Sequence, residues 1–314
     1  MKAETKISWS DYTFNPWIGC VKVTDGCKNC YAETMDKRFS GGVHWGPNAE
    51  RRTTSIKNWN QVLRLNRECK ALGIRKVVFC ASLADVFEDN PKVYEARVRL
   101  WALIEQCDSL DWLLLTKRPQ NIIEFIPASW KDQWPSNVMP GVSICSEKDY
   151  IMFQNMNDMS DRLRFQYLIS MEPLLGYIDL KKWMKEMHSI SPAPIKPYSV
   201  IVGGESGPHA RPLHPDWIRS IKKDCQQLGI VFHFKQWGEW AEYCKNLDEG
   251  GHKTVFIHDD EGKVVQSDSS NGLNPALLLD SHFAKMVRYG VKNTGNRLDG
   301  MHYMPKVFYQ NTNK

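Results

Sequence analysis

The chain has 314 residues, a formal charge of +5, 25% charged residues and 42% hydrophobic residues. That balance suits one large domain or two small ones around a real core, and it excludes a wholly disordered chain. No apolar run approaches the ~20 residues of a bilayer span, and the opening MKAETKISWSDYTFNPW lacks the apolar stretch of a secretory signal. A cytoplasmic protein is therefore expected. Disulfides are rare there, so the nine cysteines read as metal-binding, redox or packing residues.

A first strand is expected near Phe14–Gly19. A helix follows over Ser55–Leu72, with apolar residues at Ile56, Trp59, Val62, Leu63, Cys69 and Leu72 and a stop at Gly73. Strand Lys76–Ala81 precedes a helix over Pro91–Cys107, which Asn90 caps. Strands then come at Trp112–Thr116, Val138–Cys145 and Phe165–Met171, and a helix at Ile178–Met187. Strand Tyr198–Gly203, helix Pro215–Leu228 and strand Ile230–Lys235 complete the alternation.

These strands are apolar without alternation, as in a parallel sheet covered by helices on both faces. Six or seven such units suit a complete or partial (β/α) barrel or a doubly wound sheet. The reading adopted is an α/β fold with a partial (β/α) barrel of six to seven parallel strands and a C-terminal extension. The barrel domain covers residues 1–245, and residues 246–314 pack on it as the extension. Within the extension, Thr254–Ile257 and Lys263–Gln266 read as a hairpin, and Pro275–Tyr289 as a helix.

In such folds the loops after the strands carry function. The loop after the first strand reads WIGCVKVTDGCKNCYA and sets Cys20, Cys27 and Cys30 at C-x6-C-x2-C. Three thiolates so close in sequence can converge on one inorganic centre. A [4Fe–4S] cluster held by three cysteines keeps one iron open, since four is the usual number. Gly19 and Gly26 let the backbone approach such a guest closely. Zinc is the alternative, with His44 completing a Cys₃His set. The remaining cysteines (Cys69, Cys80, Cys107, Cys145, Cys225 and Cys244) sit singly in apolar patterns and read as packing residues.

Three cysteines in this position resemble the radical S-adenosylmethionine (SAM) superfamily, although the usual first spacing is C-x3-C. A resemblance along nearly the whole chain rests on NPWIGCVKVTDGCKNCYAE, LLLTKRPQ, GVSICSE, ISMEPLLGYIDL, VIVGGESGPHARPLHPDW, FHFKQWGEW and GNRLDG. It is to the phage-associated three-Cys-motif family, whose members are encoded beside a three-Cys-motif partner protein. The resemblance implies a radical-SAM-like barrel with an iron–sulfur cluster on Cys20, Cys27 and Cys30. SAM would chelate the open iron, and its reductive cleavage would give a 5′-deoxyadenosyl radical that abstracts hydrogen from a substrate. An external electron donor is implied as well.

Polar sets follow the other strands. The residues expected to hold SAM are Ser143, Glu172, Gly203, Gly204 and Glu205. Gly203-Gly204-Glu205 resembles the GGE motif that holds the SAM amino group, but it follows the sixth strand rather than the second. Glu205 therefore suits SAM, the substrate or a solvated turn. Lys117, Arg118, Arg211 and Lys235 form a candidate cationic rim for carboxylate or phosphate. With Trp237 and Trp240 nearby, a nucleotide or nucleic-acid substrate is one expectation. The alternative is ion pairing of that rim with Glu172, Glu205 and Glu239. His209 and His214 read as solvated loop histidines or proton donors. Two further functional classes stay open: a zinc-stabilised nucleic-acid-binding protein, and a non-radical iron–sulfur protein acting with a partner.

Overall fold

The computed structural model describes residue 5 and residues 7–191, 193–243, 252–259, 262–266 and 282–305. Seven parallel strands lie side by side in chain order. They are β1 (Tyr12–Phe14), β2 (Lys76–Cys80), β3 (Leu110–Thr116) and β4 (Val138–Ser143), then β5 (Leu168–Met171), β6 (Ser199–Gly203) and β7 (Val231–Gln236). A doubly wound sheet would reverse its order at a switch point, and this sheet does not. β1 and β7 end the order without pairing, so the sheet is a parallel half-barrel.

Helices fill each crossover. They are α1 (Tyr31–Ser40), α2 (Ile56–Leu72), α3 (Tyr94–Gln106), α4 (Ile122–Phe125), α5 (Ala128–Asp132), α6 (Tyr150–Leu163), α7 (Leu180–Ile190) and α8 (Pro215–Leu228). The sequence reading missed α1, α4, α5 and α6. For α6 the signal was present: Met152, Met156, Met159 and Leu163 lie on its buried face, and a Ser146/Asp149 capping box precedes it. The first strand also falls earlier than expected. Pro16 lacks a ladder donor, and Trp17–Ile18 pairs instead with Arg52–Thr53.

Alternation along the strands builds two cores. Outward residues such as Val78, Trp112, Leu114, Val142 and Val200 pack under helix residues including Trp59, Leu100, Phe153 and Ile218. Inward residues Phe79, Leu113, Met139, Leu168 and Ile201 form a second core, closed by Trp9. Of the twelve tryptophans, Trp17, Trp59, Trp112, Trp130, Trp183 and Trp217 are among the largest fully buried side chains. Gly141 has to be bare, because a Cβ there would come within 2.4 Å of Leu115 and 2.8 Å of Leu168.

The far edge is covered by residues 303–305. Phe234 N donates to Tyr303 O at 2.7 Å, and the buried His233 ring meets Ser8 Oγ at 3.0 Å and Pro305 O at 3.1 Å. A second, antiparallel sheet contains β8 (Ala241–Glu242), β9 (Thr254–His258), β10 (Val264–Gln266) and β11 (Phe283–Val287). The expected hairpin is β9–β10. The expected helix over Pro275–Tyr289 is corrected where it is described: Phe283–Val287 is a strand, paired along Thr254–His258 with Met286 and Val287 buried. Residues 275–281 and Cys244 lie outside the described residues. Val255, Ile257, Met286 and Val287 join the outer core. No described helix is long and apolar enough to cross a membrane.

Trp9 closes the floor of the inner core, so Trp9→Ala should cost about 3–5 kcal/mol. A urea midpoint shift with unchanged m-value would report it, and an unshifted midpoint would contradict the two-core description.

Candidate functional site

The inward row that forms the inner core below continues upward into chemistry. Along β3 it runs Leu113, Leu115, Lys117, along β4 Met139, Gly141, Ser143, and along β5 Leu168, Ser170, Glu172. Gly203 and Lys235 take the matching places on β6 and β7. Lys235 Nζ pairs with Glu172 Oε1 at 2.7 Å, and Ser170 Oγ donates to Glu172 Oε2 at 3.2 Å. A Cβ on Gly203 would lie 3.0 Å from Glu172 Oε1, so this glycine leaves room for the carboxylate.

Over this row lies the cysteine loop. Cys20, Cys27 and Cys30 are half-buried, whereas Cys69, Cys80, Cys107, Cys145 and Cys225 are buried. The loop is tied down on two sides. On the first, Arg118 Nη1 donates to Asp85 Oδ2 and Nη2 to Val21 O, both at 2.8 Å, and Cys20 Sγ lies 3.8 Å from Nη1. Asp85 also accepts from Thr116 Oγ1 at 2.8 Å, Lys117 N at 3.1 Å and Phe87 N at 3.0 Å, which locks the ends of β2 and β3 together.

On the other side, Glu205 is only 6% exposed and fully engaged. It accepts from Arg211 Nη2 at 2.6 Å, Arg211 Nε at 2.9 Å, Arg211 N at 2.8 Å and Asn29 Nδ2 at 3.0 Å. Arg211 Nη2 continues to Asp25 O at 3.1 Å. The GGE segment thus clasps the cysteine loop. The two glycines act through close packing: a Cβ on Gly204 would lie 1.8 Å from Trp237 O. Burial opposes ionisation of Glu205, yet the Arg211 and Asn29 hydrogen bonds outweigh it and hold the carboxyl below its usual range.

The loop glycines likewise serve contacts to protein. Gly19 has φ +119°, and a Cβ there would sit 2.4 Å from His44 O; one on Gly26 would sit 2.2 Å from Cys145 Sγ. Cys145 therefore borders the loop, although sequence reasoning treated it as an ordinary packing residue. Its neighbour GVSIC at the end of β4 was the available signal.

Burial pushes the Cys20 thiol up to about 12, with Asp85 adding to the rise. Burial also raises Cys30. Cys27 goes the other way: burial opposes ionisation, but the Lys117 charge and hydrogen bonds at Val23 and Thr24 bring its pKa below the ordinary thiol value. Lys117 is desolvated, yet Cys145, Cys27, Cys30 and Asp85 hold its pKa above the usual lysine value. Lys117 thus lies among thiols rather than in a shared rim. Of that expected rim, Arg118, Arg211 and Lys235 are each paired to a carboxylate, at 2.8, 2.6 and 2.7 Å. Glu239 accepts from Gly207 N at 3.1 Å and lies 3.6 Å from Arg288.

Trp237 and Trp240 are buried, and their indole N–H groups donate to Arg297 O and Ala210 O at 2.8 and 2.7 Å. They pack the mouth and offer no open stacking face. His209 is exposed. His214 is not a solvated histidine: it is 2% exposed and caps α8, its Nδ1 accepting from Asp216 N at 3.1 Å. His44 Nδ1 lies 2.6 Å from Asp36 Oδ1. Among the described residues, no three His, Cys, Asp or Glu side chains form a group that could hold a metal ion as they stand. The donor set still has the right chemistry for one: three thiols on one loop, with cations beside them.

The chain matches, over residues 4–305, the family model described as "Protein of unknown function (DUF5131)". It belongs to that family. No curated protein and no solved structure matches it. The match spans the half-barrel, both clasps and the second sheet, so in this DUF5131 chain they fall within one family unit.

Arg211→Met should loosen the cysteine loop and leave Glu205 buried without its cation. Alkylation of Cys27 and Cys30 should speed up by about tenfold, as expected for the loss of a charge-assisted bond, while far-UV circular dichroism stays unchanged. Unchanged labelling would show that the clasp does not hold the loop. Because the folded pKa of Glu205 is depressed, its stabilisation is full above the ordinary carboxylate value. It is lost as pH falls through the folded value. Glu205→Gln should therefore flatten the fall in melting temperature below about pH 4.

Proposed function

We propose that the chain is an iron–sulfur enzyme of radical-SAM type, with Cys20, Cys27 and Cys30 as the ligands of a [4Fe–4S] cluster. One observation carries the reading: three cysteines that are not fully buried share one loop at the C-terminal mouth of a parallel half-barrel, while the five other described cysteines are buried. In such folds the loops beyond the strand ends are where ligands bind. When bound, the cluster would pass on one electron from the external donor, cleaving the C5′–S bond of SAM to methionine and a 5′-deoxyadenosyl radical that would abstract hydrogen from the substrate.

The chain's own groups have separate tasks in this reading. Arg118 and Lys117 supply positive charge beside the thiols, which offsets thiolate charge in a desolvated place. Ser143, Glu172 and Gly203 form the inward row beneath the loop, where a SAM molecule would rest. The Glu172–Lys235 pair presents both a carboxylate and an ammonium there. Glu205 holds the loop rather than the ligand, since Arg211 and Asn29 occupy it. An external electron donor and a three-Cys-motif partner protein are the companions that the family resemblance suggests.

Anaerobically purified protein should be brown and hold about four irons per chain. Cys27→Ala should lose the iron, and Cys69→Ala, at a buried position on α2, should keep it. Addition of SAM and dithionite should yield 5′-deoxyadenosine. A colourless protein with one zinc, or a brown one that leaves SAM intact, would overturn the proposal.

A further inference from the structure

The outer face of α1 departs from the usual pattern of a surface helix. Ala32 and Asp36 are its buried residues, and Asp36 is held by His44. The face away from the core is normally polar. On α1 it carries Tyr31, Met35 and Phe39, which are 51%, 43% and 71% exposed. Their spacing of four sets them one above another along about 12 Å of helix. Val43, also exposed, follows in the turn after the helix. Single exposed apolar side chains are ordinary, but an aligned row marks a contact surface. Its position matters too. Cys30 directly precedes α1, so the row starts beside the last thiol of the cysteine loop. Tyr31 Oη donates to Ser82 O at 2.5 Å, which ties that end of the row to the segment after β2.

The charges along this stretch are mostly positive. Lys28 and Arg38 are exposed and make no ion pair among the described residues. Arg38 lies 5.4 Å from the centre of the Phe39 ring. Lys22 and Lys37 share one acid, Glu33, at 2.6 and 2.9 Å. Asp36 is buried, and the exposed Asp25 lies 3.6 Å from Lys148. These features choose between occupants. A second copy meeting the row across a two-fold axis would set Lys28 and Arg38 against themselves, and like charges across an interface are costly. A nucleic-acid strand would use the cations and the two rings, but Met35 and Val43 offer it nothing. A protein with an apolar centre and an acidic rim matches the whole row. One helix face is a small contact, in the class of transient electron-transfer encounters below ~1,200 Å².

We propose that the outer face of α1 docks a small acidic one-electron carrier protein, with Met35 and Phe39 at the centre of the contact and Lys28 and Arg38 steering the approach. Docked there, the carrier sits beside Cys30; it is oxidised by one electron, and the centre held by Cys20, Cys27 and Cys30 is reduced by one. That the partner carries electrons rests on the function proposed above. The apolar row and its cations belong to the chain whether or not SAM is cleaved.

The test uses the full chain, purified anaerobically, and calorimetric titration with an acidic flavodoxin and with cytochrome c, a basic carrier. Flavodoxin should bind, less tightly as salt is raised, and cytochrome c should not. Phe39→Ser should weaken flavodoxin binding about tenfold and leave far-UV circular dichroism and iron content unchanged. Lys28→Glu combined with Arg38→Glu should weaken it at low salt. Leu72→Ser, at an exposed apolar residue that ends α2 before the start of β2, should have no effect. With reduced flavodoxin as donor, Phe39→Ser should slow 5′-deoxyadenosine formation, and with dithionite it should not. Absence of flavodoxin binding would overturn the proposal, as would binding that survives Phe39→Ser or a loss of rate with both donors. A dimer in sedimentation that Phe39→Ser dissociates, or Phe39-dependent binding of oligothymidylate in place of flavodoxin, would overturn it in favour of a second copy or a nucleic acid. Failure of dithionite to cleave SAM would sink the enzyme reading alone, because the calorimetry decides the docking separately.

Discussion

Two arginine–carboxylate pairs with buried carboxylates hold the cysteine loop, and the rest of the mouth depends on them. Asp85–Arg118 reaches the loop from β2 and β3, and Glu205–Arg211 reaches it from β6. Each arginine uses its spare nitrogen on a loop carbonyl, Val21 O or Asp25 O. A carboxylate desolvated in this way is costly without its cation, and removing one partner commonly costs about 3–5 kcal/mol. The loop therefore has few alternatives to its present path. Its regular structure is only one 3-10 turn at Asp25–Cys27, too little to fix it alone.

The same pairs explain why net charge is a poor guide to the mouth. The charge of +5 suggests a basic protein, yet three of four expected rim cations are neutralised within hydrogen-bond distance. Pairing converts those cations from ligand-seeking groups into struts. What remains chemically available is set by the residue without a partner. At this site Lys117 has no ion pair among the described residues, and its surroundings are the Cys145, Cys27 and Cys30 thiols.

The fold was largely legible because the strands are continuous apolar runs, and such runs mean burial on both faces. The monotonic strand order was not legible, since both barrel and doubly wound sheets produce the same local pattern. α8 was read to the residue because Pro215 starts it and Gly229 ends it. Phe283–Val287 was misread because a five-residue strand has no period long enough to contradict a helix, and only its pairing with Thr254–His258 decides it. At the site, the sequence offered ion pairing of the rim with Glu172, Glu205 and Glu239 as the alternative reading; the structure shows Lys235–Glu172 and Arg211–Glu205, but pairs Arg118 with Asp85. Glu205 and Arg211 are six positions apart, and no rule of spacing predicts that they close on each other across a turn. Gly26 against Cys145 is a contact between loops from different strands, visible only once the sheet brings them together.

The loop combines a fixed backbone with cysteine side chains that take no part in the two ion pairs holding it. Its carbonyls at Cys20, Val21 and Asp25 are all bonded, by Gly46 N, Arg118 and Arg211. The three cysteines are not fully buried, unlike the other described ones. A guest at such a loop would need to reorient thiols but not to order the chain. Side-chain reorientation is the smaller entropy cost: fixing a residue's backbone costs about 1–2 kcal/mol, and here the clasps have already fixed it. Preorganisation of this kind favours tight binding with little rearrangement. It also separates two demands that often conflict. The struts can be rigid because the groups that would do chemistry are not among them, and the chemistry can vary its geometry because the struts carry the fold.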